Sequence, residues 1–304
     1  MSKTGQSSSI SSPGALHGVK PLWLKSAPFI FLLLWSAGFT IAKIGLAYVN
    51  PLTFLVLRYA LVLLVLLPLL VVLRPPWPKT AAAWRHLAVV GLLIQAGYFS
   101  LFNLALRFGA SVGGVALIVS LQPILVALLV PYMSNERISK TRWFGLGLGL
   151  VGAALVILAR SAIEATSVAG ILCALLALAC ITAGTLYEKR FGSPHHPVVA
   201  NAVQYAVGLL VVLPLAWAFE PMQVRWSGPL ILSLAYLVLA NSLIAISLLL
   251  VMIRHGEASR VSALFFLVPP AAALIAWLMI GEHMPPLAWI GMGVAGLGVA
   301  LTRR

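Results

Sequence analysis

One arginine stands inside a long apolar stretch, where an ionisable side chain is costly to keep. Arg58 lies between Pro51 and Leu73, with hydrophobic neighbours on both sides. A guanidinium in such a place can bind a carboxylate through two parallel hydrogen bonds. It can equally pair with a carbonyl or a neutral polar side chain and hold two helices together. The sequence is therefore compatible with two roles for Arg58, either binding a ligand carboxylate or holding two helices together.

Other charged residues border the apolar stretches. Lys43 is a second cationic candidate, although snorkelling of its amine to the membrane interface is the favoured interpretation. The acidic residues number six and are all glutamates. Glu136 and Glu282 are interpreted as helix-start residues, whose carboxylates would satisfy free N–H groups. Glu188 is the first candidate for coupling to protons, because it lies close to the end of an apolar stretch.

Neutral polar and aromatic side chains recur within the apolar stretches, and together they could line a cavity for a small amphipathic molecule. The polar candidates are Gln95, Tyr98, Asn103, Gln122, Asn201, Gln204, Tyr205, Tyr236 and Asn241. The aromatic wall candidates are Trp35, Phe39, Phe99 and Phe265. Hydrogen bonding between helices, or packing against lipid, is the alternative role for each of them.

The motifs of enzymes and metal sites do not stand out. The six histidines lie in tails and loops, and His195 with His196 has no further ligands at metal spacing. Cys173 and Cys180 share one apolar stretch, which is the pattern of small buried or lipid-facing residues rather than of a disulfide framework. We therefore expect no catalytic set, no metal and no cofactor.

The composition is that of an integral membrane protein. Of the 304 residues, 62% are hydrophobic and 9% are charged, and the mean hydropathy is +1.05. A soluble domain is roughly a quarter charged. The net charge of +14 would suggest nucleic acid, but the basic residues sit singly or in small groups between apolar runs. The lipid bilayer is the expected partner, and nucleic acid is not.

Ten apolar segments are long enough to predict membrane-spanning helices. They fall at 27–46, 51–73, 85–106, 111–131, 141–160, 168–188, 197–218, 228–252, 258–280 and 286–302. The preceding residues 1–26 are polar and rich in serine, and they are predicted to form a disordered cytosolic tail.

The positions of the basic residues predict the orientation. If the N-terminus is cytosolic, fifteen of the 20 Lys and Arg residues fall in cytosolic segments and three fall outside. This asymmetry follows the positive-inside rule for short loops. Both termini are therefore predicted to face the cytosol, which requires an even number of spans.

The chain also aligns with itself at a shift of 146 residues. Tyr59 then matches Tyr205, Gln95 matches Asn241, and Arg58 matches Gln204. The match divides the helices into 27–160 and 168–302, five in each. An odd number of helices makes the second half enter the membrane from the opposite side, so the repeat is predicted to be inverted. Secondary transporters share this architecture and bind substrate near the midplane between the repeats.

With the repeat, several local motifs resemble the EamA family of the drug/metabolite transporter superfamily. The resemblance rests on Trp35 to Lys43, on Pro51 to Tyr59, and on Pro123 followed by Glu136 and Arg137. In the second half it rests on Pro269, on Gly281 with Glu282, and on a glycine-rich last helix. It implies an all-α membrane fold of ten helices in two inverted halves, with a central cavity formed mainly by the first four helices of each half.

The resemblance also implies export of small metabolites, often amino acids, with or without coupling to protons. We therefore expect a non-enzymatic exporter in the cytoplasmic membrane, acting on amino acids or related amphipathic compounds as a monomer or homodimer. An exchanger of larger anions such as nucleotide sugars is one alternative, although it would need several cavity cations. An intramembrane enzyme acting on lipids is another, and it would need clustered His, Asp or Glu residues.

Overall fold

A computed structural model describes residues 23–108, 110, 115, 118–133, 137–160, 167–192, 195–255, 261–280 and 283–302. The first 22 residues of the predicted tail lie outside the described residues, as do Glu136 and Glu282. The same holds for the side chains of Phe39 and Lys43, although the backbone of both belongs to a helix.

The described chain is built from ten helical elements. They are α1 (Trp23–Leu46), α2 (Pro51–Leu73), α3 (Ala81–Val90, Gly91–Tyr98 and Phe99–Arg107), α4 (Gln122–Met133), α5 (Lys140–Arg160), α6 (Val168–Phe191), α7 (Pro197–Phe219), α8 (Gly228–Tyr236, Leu237–Ala245 and Ile246–His255), α9 (Ala263–Leu267 and Val268–Ile280) and α10 (Pro286–Thr302). Seven of these, α1 to α3 and α5 to α8, are long and apolar enough to cross a membrane. The remaining three are shorter apolar helices at the positions of the fourth, ninth and tenth predicted spans.

The helices begin where local capping allows, which is often outside the apolar run. α1 starts at Trp23, four residues before the predicted bound. α3 starts at Ala81 rather than at residue 85, because the Thr80 hydroxyl accepts a hydrogen bond from Ala83 N over 3.2 Å. Prolines at the first turn open α2 and α7, where the missing N–H costs nothing.

Two helices contain a wide π-helical turn in their centre. These segments are Gly91–Tyr98 in α3 and Leu237–Ala245 in α8, and their first residues stand 146 apart. This is the spacing of the internal sequence match. A π-turn disturbs the regular hydrogen bonds of a helix and is frequent at functional sites.

α5 and α10 pack against each other through glycines. A Cβ at Gly145 would lie 2.7 Å from the carbonyl oxygen of Gly298. One at Gly152 would overlap the backbone of Ala295. The two backbones therefore approach so closely that only glycine fits at these contacts.

Large apolar side chains cover the outside of the bundle. Trp217, Val72 and Leu210 are among those most exposed. A soluble protein rarely exposes an apolar surface of this extent. The interior, by contrast, holds a central aromatic cluster and nearly all of the predicted polar candidates.

Candidate functional site

Arg58 is buried in the centre of the bundle, with 5% of its surface exposed. Its Nε donates to Ser242 Oγ over 2.7 Å, and its Nη2 donates to Asn241 Oδ1 over 3.0 Å. Both partners belong to the π-helical segment of α8. The structure describes two carboxylate side chains, Glu188 and Glu220, and both pair with other arginines. Within the described chain, Arg58 is therefore a buried cation that is held by neutral groups.

An aromatic cluster continues from the guanidinium. Arg58 Cζ lies 5.1 Å from the centre of the Phe99 ring, within cation–π distance. Trp35 packs against Phe99 at 6.1 Å and against Phe265 at 5.8 Å between ring centres. Phe31, which the sequence did not single out, completes the cluster at 5.4 Å from Trp35. The indole N–H of Trp35 is buried and has no hydrogen-bond partner in the part of the chain that the structure describes.

Tyr59 and Tyr205 form a tyrosine pair beside Arg58, with ring centres 5.3 Å apart. The Tyr59 hydroxyl donates to the carbonyl oxygen of Gln95 over 2.8 Å. The Tyr205 hydroxyl donates to the carbonyl oxygen of Ser242 over 3.4 Å. Each tyrosine thus binds a carbonyl in the π-helical segment of its own half of the chain. This arrangement fixes the irregular turns in place.

Two glutamines bring polar atoms to the same region without satisfying them. Gln95 and Gln204 are both fully buried. Among the described residues, neither the oxygen nor the nitrogen of either side-chain amide has a hydrogen-bond partner. Buried amides of this kind are costly unless a ligand or water binds them.

Asn241 is positioned from both sides. Its Nδ2 lies 3.5 Å from the carbonyl oxygen of Leu34 in α1, to which the Tyr236 hydroxyl also donates over 3.2 Å. Gly38, one turn further along α1, allows this close approach, because any Cβ there would overlap the Asn241 amide. α1 therefore fixes the amide that holds Arg58.

Tyr98 packs on Phe99 with ring centres 4.9 Å apart, whereas the structure places three other polar candidates elsewhere. Asn103 Nδ2 donates to the carbonyl of Phe99 within its own helix, over 2.7 Å. Asn201 donates to Ser247 Oγ over 2.7 Å and so links α7 to α8. Gln122 lies in a separate polar group with Thr185 and Ser262, at 3.3 and 3.4 Å. These three residues have hydrogen-bond partners of their own, and in the described chain none of those partners is Arg58.

Glu188 is buried at the end of α6, with 1% of its surface exposed, and forms an ion pair with Arg254 at the end of α8. Burial and the charge of Arg254 lower the pKa of His195, which lies in the connection between α6 and α7. The pair fastens two helices at the end that is predicted to face the cytosol.

A second carboxylate, Glu220, was not considered as a candidate from the sequence. It follows α7 and is buried at the first turn of α2. Its two oxygens accept from Leu52 N at 2.9 Å, and from Thr53 N and Thr53 Oγ1 at 2.7 Å each. Arg107 at the end of α3 pairs with it at 3.4 Å. A carboxylate at a helix N-terminus is stabilised by the free N–H groups and by the helix dipole.

Ser242 and Arg254, the ion-pair partner of Glu188, were also not predicted from the sequence. Ser242 could have been found as the neighbour of Asn241 in a repeated segment. Arg107 and Arg254 occupy equivalent places in the internal match, at a shift of 147 residues. That equivalence was the available signal that both arginines have a fixed role.

Similarity to known proteins identifies the family of this chain. The model of the EamA-like transporter family matches this chain twice, at residues 24–158 and 168–304. The chain belongs to the EamA-like transporter family. Together with its apolar helices, this membership makes it a multi-pass membrane transporter.

Curated EamA relatives resemble the chain along most of its length. One is named a probable amino-acid metabolite efflux pump, from Salmonella typhimurium, and is 25% identical over 88% of each chain. Another, from Synechocystis, is called an uncharacterized transporter and is 28% identical over 90% of this chain and 87% of its own. The uncharacterized inner membrane transporter YedA of Escherichia coli is 23% identical over 91% and 90%.

The fold of this EamA protein is also found among solved structures. A crystal structure that is 21% identical in sequence superposes with a TM-score of 0.77, covering 93% of this chain and 99% of that one. This likeness concerns the fold alone. Chemically, the EamA site offers a buried cation, an aromatic wall and unpaired amides, a combination suited to a small molecule that has both an anionic and an apolar part.

Proposed function

We propose that this protein is a secondary transporter that exports amino acids or related amphipathic metabolites across the cytoplasmic membrane. Its two five-helix halves are inverted, both termini face the cytosol, and substrate binds between the halves. The observation that carries the proposal is Arg58, a buried cation at the junction of the halves with neutral partners only among the described residues. Similarity to a probable amino-acid metabolite efflux pump supports the substrate class.

The electrostatics around Arg58 favour a carboxylate ligand. Two unit charges 4 Å apart attract by about 4 kcal/mol at an effective dielectric constant near 20. Asn241 and Ser242 orient the guanidinium, and they neutralise none of its charge. A substrate carboxylate would supply the missing counter-charge. The fork geometry of arginine also suits two carboxylate oxygens, which a lysine would not match.

The aromatic cluster accounts for the apolar part of the substrate. Trp35, Phe99 and Phe265 provide flat surfaces on three different helices next to the cation. The buried amides of Gln95 and Gln204 are available for an amino or hydroxyl group. A molecule with a carboxylate, a hydrogen-bonding group and an apolar side chain therefore fits this set of contacts.

The two carboxylate–arginine pairs suit alternating access. Arg107 and Arg254 are equivalent in the repeat, so inversion places them at opposite ends of the bundle. Arg107 ties α3 to the residue that follows α7, and Arg254 ties α8 to α6. Opening at either end would separate the corresponding pair. Protonation of Glu188 would release Arg254, which gives export a route for coupling to protons.

The proposal is tested by transport in proteoliposomes with the full-length protein. A panel of radiolabelled amino acids is loaded inside the vesicles, and their exit is followed with and without a pH gradient. We expect saturable exit of at least one amino acid with an apolar side chain. Absence of transport across the panel by correctly folded protein would contradict the proposal.

Variants of Arg58 then locate the site. Arg58→Gln should abolish saturable transport, and Arg58→Lys should retain a small part of it at a higher KM. Arg137→Gln is the matched control, because Arg137 is exposed in the connection before α5. If folded Arg58→Gln protein transports with an unchanged KM, Arg58 is a structural residue and the proposed site is wrong.

A further inference from the structure

An apolar groove lies on the outside of the bundle, away from the central site. It is bounded by α2, α3 and α7 and has a volume of about 600 Å³. Leu63 and Leu67 of α2 face Ala206 and Leu210 of α7 across it. Ala202 and Ala206 keep the groove open, because neither side chain extends beyond a methyl group.

The mouth of the groove is basic and aromatic. Arg85 near the start of α3 lines it and is exposed. Trp77 and Trp84 line it as well, and their rings stack at 5.6 Å with an interplanar angle of 10°. The Trp84 indole donates to the carbonyl of Pro78 over 3.0 Å, which holds the stack in position. Both described carboxylates lie elsewhere and are paired, so neither neutralises Arg85.

Two more cations lie in the connection between α2 and α3. Arg74 follows the last turn of α2, and its N–H donates to the carbonyl of Leu70, which itself lines the groove. Lys79 precedes α3, and both side chains are exposed. Arg74, Lys79 and Arg85 therefore bring three positive charges to the end of the groove where α2 ends and α3 begins, which the basic residues assign to the cytosol.

We propose that this groove binds one anionic phospholipid of the cytoplasmic leaflet. Its phosphate meets Arg85, with Arg74 and Lys79 nearby, and an acyl chain lies between α2 and α7. Tryptophan pairs are typical of the level of lipid headgroups, and basic pockets on the cytoplasmic side of helix bundles suit anionic headgroups. A free phosphate would leave the apolar channel empty, so the combination of charge and channel favours a lipid. The binding is independent of the transported substrate.

The test is native mass spectrometry of the full-length protein released from detergent. The lipids are phosphatidylglycerol and phosphatidylcholine with identical acyl chains, supplied separately and as an equal mixture. We expect one retained phosphatidylglycerol per protein, and a clear preference over phosphatidylcholine. Equal retention of both lipids would overturn the proposal, as would retention of neither.

Two variants with a matched control locate the lipid. Arg85→Gln should weaken the preference about fivefold, the effect expected of one charge near an anionic surface. Ala206→Trp should fill the channel and remove the retained lipid. Ala60→Trp is the control, since Ala60 is the repeat equivalent of Ala206 and is exposed on α2 away from the groove.

The same variants also distinguish a lipid in the groove from other molecules that could occupy it. Lipid retention unchanged in Ala206→Trp would place the lipid elsewhere and overturn the proposal. A dimer that dissociates in Ala206→Trp, without any lipid bound to the wild type, would assign the groove to a second copy of the chain instead. This test does not measure transport. Failure of the proposed lipid binding can therefore be distinguished from failure of the proposed export.

Discussion

Arg58 in the first half of the chain donates to Asn241 in the second half over 3.0 Å. The contact joins α2 to the π-helical segment of α8, which is an irregular part of that helix. A cation of one half is thus oriented by an amide of the other. A movement of the halves relative to each other would change this contact directly.

Asn241→Asp is expected to raise the KM of transport while leaving the fold intact. The substitution keeps the shape of the side chain and gives Arg58 a carboxylate of its own. The substrate carboxylate must then compete with a fixed partner, so KM should rise at least about tenfold, the effect of a charged hydrogen bond of about 1.5 kcal/mol or more. KM is measured by transport in proteoliposomes, and folding by thermal unfolding in detergent.

Gln223→Glu serves as the control for this experiment. Gln223 is exposed in the connection between α7 and α8, so the change adds a negative charge at the surface. It should transport like the wild type. An unchanged KM in Asn241→Asp would contradict the assignment of Arg58 to the substrate carboxylate.

Three glycine-to-alanine variants should separate function from stability. Gly38→Ala pushes on the end of the Asn241 side chain, so transport should fall with little loss of stability. Gly152→Ala meets the backbone of Ala295 and should destabilise the protein by about 1–3 kcal/mol. Gly147→Ala has open space around it and should change neither property. Thermal unfolding and initial transport rates provide the two measurements, and a fully active Gly38→Ala would contradict the positioning of Asn241 by α1.

Glu220 should matter more to stability than its partner Arg107. Glu220→Gln places an amide N–H against the backbone donors of Leu52 or Thr53, at a cost of about 1–3 kcal/mol. Arg107 is 35% exposed, so Arg107→Gln should cost at most about 1 kcal/mol. Thermal unfolding of the two variants tests this order. A larger loss in Arg107→Gln would mean that the ion pair, rather than the helix cap, stabilises this end.

Glu188→Gln is expected to uncouple transport from the pH gradient. A glutamine retains an acceptor for Arg254 but cannot take up a proton. Exchange of substrate across the membrane should continue, while stimulation by a pH gradient should disappear. Arg254→Gln is the companion variant, and it should lower stability because it leaves a buried carboxylate unpaired. If Glu188→Gln keeps the full stimulation, the proton is carried elsewhere.

His195 should make the protein less stable in acid. Burial and the charge of Arg254 hold its pKa below the ordinary value of 6.5, so the unfolded chain binds the proton first. The contribution of His195 to stability is therefore complete above pH 6.5 and is lost as the pH falls through the lower, folded-state pKa. His195→Gln should show a smaller fall in melting temperature between pH 7 and pH 5 than His283→Gln, which replaces an exposed histidine. An equal fall in melting temperature in both variants would rule out this contribution of His195 to stability.

The sequence predicted the helices better than it predicted their contacts. Apolar length placed most of the described helical elements within a few residues of their observed bounds, since each helix in lipid must satisfy its own backbone. The fourth is the exception, because the span predicted at 111–131 is described as the helix Gln122–Met133. The π-helical turns were not predicted, because a π-turn arises from packing between helices and has no composition of its own. Their positions nevertheless follow the 146-residue register.

The candidate site was predicted in part. Arg58, Trp35, Phe99, Phe265 and Asn241 come together, because polar and aromatic residues within apolar helices turn to the interior. Asn103, Gln122 and Asn201 met the same criterion and yet bind other partners. Sequence alone does not separate the two groups, because which face of a helix points to the centre depends on neighbours that are distant in the chain.

The most direct test of Arg58 as the carboxylate-binding residue compares the binding affinity of an exported amino acid with that of its carboxamide. The amide derivative keeps the apolar side chain and loses the negative charge. The wild-type protein should bind the acid more tightly than the carboxamide by a factor of about 10 to 150. This ratio corresponds to about 1.5–3 kcal/mol for a charged hydrogen bond. Arg58→Gln should lose this preference and bind the two compounds equally. A variant that still prefers the acid as strongly as the wild type would contradict the claim that Arg58 binds the carboxylate.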